Sequence, residues 1–123
     1  PVTVMNVKSL IATPADGAEL QAGAVVVVAG VAWTGGDAVV TKVETELTWP
    51  GGGTGWVGIK DLEGPARPYT WRTWSVGYPV GPGRLTVRVR ATDSTGATQP
   101  ETSPWNKSGY LWNGYDRVDF KVR

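Results

Sequence analysis

Glu44 and Glu46 stand two residues apart in Val43-Glu44-Thr45-Glu46-Leu47, a spacing that puts both carboxylates on one face of an extended chain. Paired carboxylates can divide acid and base roles in glycoside hydrolysis when their surroundings split their pKa values. The plainer reading, a solvated strand face with Lys42 as counter-charge, is the better supported. Asp16, Asp37, Asp61, Asp93 and Asp116 fall in or near turn sequences. Sandwich loops can gather calcium with such residues, but no short aspartate-rich ligand run occurs, and turn chemistry accounts for them. Pro50-Gly51-Gly52-Gly53-Thr54-Gly55 lacks the Lys-Ser/Thr pair and following helix of a phosphate loop, and is expected to be a hairpin connector without regular structure. Histidine and cysteine are both absent. The usual general base near neutral pH and thiolate chemistry go with them, and no catalytic residue and no metal ligand is expected in this chain.

Binding chemistry is better represented. The chain has 7 Trp and 4 Tyr, and rings that stay exposed can stack on sugars or anchor a protein partner. Trp105, Tyr110, Leu111, Trp112 and Tyr115 form the expected exposed set, because they lie in an irregular lead-in rather than in a strand. The alternative is that they cover one end of the fold. Arg117 follows at once, on the polar phase of the last alternating segment, with Asp116 and Asp119 as salt-bridge candidates.

The elements that position these residues read as strands. Leu85, Val87, Val89 and Ala91 alternate with Thr86, Arg88, Arg90 and Thr92, and the segment ends at Asp93-Ser94-Thr95-Gly96, a tight-turn sequence. Val118, Phe120 and Val122 alternate with Arg117, Asp119 and Lys121 in a last strand. Val25 to Trp33 is a nearly continuous apolar run, expected as a central strand, and Val39 to Trp49 alternates with a mostly polar outer face. Trp33 and Trp49 are expected inside; Trp71 and Trp74 are expected on opposite sides of their strand. With Val7 to Ile11, Trp56 to Ile59 and Thr70 to Tyr78 the count reaches about seven strands. Frequent Val, Thr and Trp with 17 Gly and 9 Pro make the chain all-β, an immunoglobulin-like Greek-key sandwich rather than a small barrel. At 123 residues it is one domain over residues 1–123.

A net charge of +1 without a basic block gives nucleic-acid binding little support. No apolar run is long enough to span a membrane and no secretion signal is visible. A start at Pro1 points to a processed or excised piece.

Val7-Lys8-Ser9-Leu10-Ile11, Gly30-Val31-Ala32-Trp33-Thr34-Gly35, Trp71-Arg72-Thr73-Trp74, Val89 through Gly96, Thr98-Gln99-Pro100 and Trp105-Asn106 through Gly109-Tyr110, in that order and over nearly the whole chain, resemble the C-terminal domain of sulfite oxidase-type molybdenum-cofactor oxidoreductases. The resemblance implies a non-catalytic, immunoglobulin-like dimerisation domain. It would follow a molybdopterin-binding domain that holds the molybdenum through a cysteine, so the cofactor belongs upstream and none is implied in this chain. It also implies a homodimer partner, contact with the upstream domain, a border on that domain's substrate pocket and a periplasmic or otherwise extracytoplasmic location. Asn113 and Arg117 match the family's residues beside the oxyanion. The chain departs from the family pattern at Leu47 to Trp56, a reshaped hairpin, and at Asp116-Arg117-Val118, where the family often reads His-Arg-Val. A stand-alone polysaccharide- or protein-binding module using exposed Trp and Tyr is the alternative, with a glycosidase a distant third.

Overall fold

A computed structural model describes residues 7–21, 23, 25–34, 38–60, 62–64, 71–99 and 116–123. Among these residues the strands are β1 (Lys8–Thr13), β2 (Glu19–Leu20), β3 (Val26–Trp33), β4 (Val40–Trp49), β5 (Gly52–Gly53), β6 (Val57–Gly58), β7 (Arg72–Tyr78), β8 (Gly83–Asp93) and β9 (Asp116–Val122). One sheet runs β1-β3-β7, and the other runs β2-β9-β8-β4-β5 with β6 also on β4. Neighbours are antiparallel except β2 and β9. The chain crosses between sheets from β1 to β2, β2 to β3, β3 to β4, β6 to β7 and β7 to β8, which makes the all-β sandwich that the alternation led us to expect. The additional strands β2 and β5 have two residues each, too short to carry a periodicity.

The facing sides of the sheets supply the core. Val28 and Ala32 come from β3, Trp74 and Tyr78 from β7, and Val43 and Leu47 from β4. Leu85, Val87, Val89 and Ala91 of β8 and Val118, Phe120 and Val122 of β9 complete it in the phases read from the sequence. In β4 the expected alternation from Val39 breaks at once. Val40 pairs with Asp93 and Lys42 with Thr92, so a bulge at Thr41 shifts the phase and buries Val40 and Val43 together.

Local chemistry fixes the register. A Cβ on Gly30 would lie 1.9 Å from the Leu10 carbonyl oxygen and 2.7 Å from the Trp74 ring, so only glycine lets β1 and β7 approach β3 this closely. The buried Gln99 Oε1 accepts hydrogen bonds from the Ser9 hydroxyl at 2.5 Å and the Ala91 N–H at 2.9 Å, joining the two sheets. Asp93 Oδ1 accepts from the N–H of Thr95 at 2.9 Å and of Ala97 at 3.2 Å, with Gly96 at φ +89°, the turn its sequence announced.

Two expectations are corrected. Gly51 to Gly55 is not irregular: Gly52 and Gly53 pair with Trp49 and Thr48, and the Thr54 side-chain oxygen accepts the Leu47 N–H at 3.1 Å. Glycine's freedom supplies positive φ at Gly51 and Gly55 while Thr54 locks the hairpin. Trp33 and Trp49 are not inside. Trp33 is on the outer phase of β3, and Trp49 keeps the inner phase of β4 but is 44% exposed. Its indole lies on the Gly52 backbone at the mouth of a cleft with Leu47, Pro79 and Leu85.

Candidate interaction surfaces

The larger sheet turns a lattice of charge outward. Glu44 faces Arg90 and Glu46 faces Arg88 across the β4–β8 ladder. Arg90 Nε lies 2.9 Å from Glu44 Oε1, Lys42 Nζ lies 3.7 Å from Glu44 Oε2, and Arg88 Nε donates to Glu46 Oε1 at 3.1 Å. The Trp56 ring lies under both guanidinium groups, 4.0 Å from Arg90 and 5.4 Å from Arg88. Both carboxylates are thus engaged as acceptors and largely covered, with side chains 13% and 15% exposed, and the pair reads as a counter-charged strand face rather than as an acid and base flanking a substrate.

Beside the lattice, β9 presents Arg117, Asp119 and Lys121. Arg117 Nε lies 3.3 Å from Asp119 Oδ1, with the two side chains 63% and 55% exposed. The Asp119 carboxylate also accepts the Thr86 hydroxyl at 2.6 Å. That hydroxyl above all holds its pKa below the usual carboxylate value; burial opposes it, and the hydrogen bond and charge of Arg117 add to the lowering. Asp116 is the other aspartate that the sequence offered to Arg117, but its Oδ2 instead accepts the Ile11 N–H at 2.7 Å and ties β9 to β1. Arg84, Thr86, Arg117 and Lys121 line a groove of about 470 Å³ with Gly17 and Ala18. Asn113, Trp105, Tyr110, Leu111, Trp112 and Tyr115 lie outside the described residues.

The outer face of the β1-β3-β7 sheet has the opposite character. Val25, Val27, Ala29, Val31 and Trp33 form its middle row, with Leu10 of β1 and Trp71, Thr73 and Ser75 beside β3. Val27 and Trp71 are each 57% exposed. Trp33 and Trp71 stack with ring centroids 4.6 Å apart and planes at 22°. Charge enters this face at its edges, with Lys8 opposite Trp33 at one corner and Glu63 opposite Thr73 beyond β7. Its sequence signal was the unbroken apolar run from Val25 to Trp33, which sequence reasoning assigned to core burial alone.

Residues 1–123 match the family described as the Mo-co oxidoreductase dimerisation domain. The chain belongs to this family. Human (Homo sapiens) mitochondrial sulfite oxidase is 36% identical over 126 residues, covering 96% of this chain and 22% of that protein. A nitrate reductase [NAD(P)H] of Hordeum vulgare is 34% identical over 134 residues, covering 98% of this chain and 15% of that protein. The chain therefore spans between about a seventh and a fifth of the length of these curated relatives. Among solved structures, the sulfane dehydrogenase SoxCD of Paracoccus pantotrophus shares the fold, with TM-score 0.70 and 22% identity over 94% of this chain and 30% of that one.

This dimerisation domain's donor set does not fit a molybdenum centre. It has no Cys and no His anywhere in the chain, and its described residues contain no group of three or more His, Cys, Asp or Glu placed to hold a metal. No helix among the described residues is long and apolar enough to cross a membrane.

Proposed function

We propose that this chain is the subunit-pairing part of a sulfite oxidase-like molybdenum-cofactor oxidoreductase, non-catalytic itself, and that it borders the substrate pocket of the molybdopterin-binding domain beside it. The observation that carries this reading is the family match across residues 1–123. Residues 1–123 act as one domain, with a second copy and the upstream domain as partners, and the extracytoplasmic location implied by the resemblance goes with the same reading. The names of the two curated relatives point to sulfite and nitrate, both small oxyanions. An arginine suits such a substrate, because its planar fork offers two parallel hydrogen bonds. Arg117, exposed at a groove with Arg84 and Lys121, is the candidate, and Asn113 is proposed beside it. Trp105, Tyr110, Leu111, Trp112 and Tyr115 are proposed to extend the subunit contact.

A second reading keeps one observation in its favour. Trp49 stands exposed at a cleft of about 440 Å³ lined with Pro50, Pro79 and Pro82, which would suit a sugar or an extended peptide. Sedimentation of the full chain separates the two. A concentration-dependent dimer with about 800 Å² buried per partner supports pairing. Monomer at high concentration, together with saturable quenching of tryptophan fluorescence by a glucan, would replace it with the binding module.

A further inference from the structure

A β-strand with one face on the core and one in water alternates apolar and polar residues, whereas a strand covered on both sides reads as a continuous apolar run. β3 is of the second kind. Val28, Gly30 and Ala32 face the core, and Val25, Val27, Ala29, Val31 and Trp33 flank them on the other side, where the described chain provides no second layer. The larger sheet follows the other rule: the outward residues of its central strand β8 are Arg84, Thr86, Arg88, Arg90 and Thr92. One side of this sandwich is written for water and the other for burial.

We infer that the outer face of the β1-β3-β7 sheet is the surface on which two copies of this chain pair, with the stacked Trp33 and Trp71 as its anchor. This rests on the pairing function proposed above and names the face that performs it. A second copy fits this face, because its charges, Lys8 at one corner and Lys60 and Glu63 beside β7, are of both signs and lie at the rim, so two such faces can meet over the apolar middle row with those charges at the edge. Lys60 and Glu63 border a depression lined by Ala29, Val31 and Thr73 at its flank, giving the apolar centre and polar rim of a protein interface. The Trp33–Trp71 stack is already formed in the single chain, so the two rings need no rearrangement when they are covered.

The test uses the full chain in sedimentation velocity across a concentration series. Val27→Glu and Trp71→Glu alter exposed positions and should each raise the dimer dissociation constant at least ~100-fold, with circular dichroism and melting temperature showing an intact fold. Val57→Glu, at an exposed apolar residue of the other sheet, should leave the constant unchanged. Should Val27→Glu or Trp71→Glu unfold the chain, Val27→Ser and Trp71→Ser serve in their place, with a smaller rise in the same direction. A dimer that survives these substitutions in folded protein overturns the assignment of the face. So does one dissolved by Val57→Glu, or one that only Trp105→Ala and Trp112→Ala dissolve; in these cases pairing itself stands and its surface lies elsewhere. If the unaltered chain stays monomeric throughout, the pairing function fails first and this inference with it.

Discussion

At Arg117 the chain holds a guanidinium on a carboxylate without burying either. An ion pair this exposed contributes less than about 1 kcal/mol, so Arg117→Met should change the melting temperature little. In the intact enzyme the same substitution should raise KM for the oxyanion about tenfold or more, with Arg117→Lys recovering part of the loss. An unchanged KM would return the residue to the salt bridge with Asp119. Asp119 makes a separate prediction. Its folded pKa is lowered from 3.8, so its contribution is full above that value and is lost as pH falls through the folded pKa. Urea unfolding at neutral pH and near pH 3 should show a shallower acid loss for Asp119→Asn than for the unaltered chain. Arg117's outward phase was legible in the sequence. Alternation also puts Asp119, two residues on, on the face of Arg117 and Asp116 on the other; what only the fold shows is that Asp116 accepts the Ile11 amide.

Among the elements, β3 and its neighbours are the least tolerant of change. Gly30→Ala puts a methyl group onto a backbone oxygen that cannot rotate away, and should cost more than about 3 kcal/mol in urea unfolding or prevent folding. Gln99→Leu should destabilise by about 1–3 kcal/mol for each of the Ser9 hydroxyl and Ala91 N–H it leaves unpaired. Most strands could be read directly, since β8 and β9 alternate cleanly over seven or more residues. Three features resisted. The bulge at Thr41 inserts one residue and leaves no compositional mark. β2 and β5 exist through their pairing with β9 and β4 rather than through any pattern of their own. Gln99, in a polar stretch, looks like a loop residue until β1 and β8 are seen to converge on it.

For the whole molecule, the contrast between a charged sheet and an apolar one predicts how assembly responds to solvent. Pairing through the β1-β3-β7 face should hold or tighten as sodium chloride rises from about 0.1 M to 1 M, where the Debye length falls from about 10 Å to 3 Å. Pairing through the Arg88, Arg90 and Arg117 side should loosen over the same range, and sedimentation at both salts tells them apart. The sandwich class was legible because strand phase and turn spacing are local properties. Which side faces a partner was not, since an apolar run has the same composition whether its second face meets its own core or another molecule's. The Trp33–Trp71 stack adds an optical consequence. Two indoles 4.6 Å apart and nearly parallel are close enough for their excited states to couple, so the folded chain should show a paired positive and negative band in the far-ultraviolet dichroism that Trp71→Ala removes. Covering the exposed Trp71 should also shift its emission to the blue, giving an unlabelled chain a built-in readout of whether this face is open or occupied.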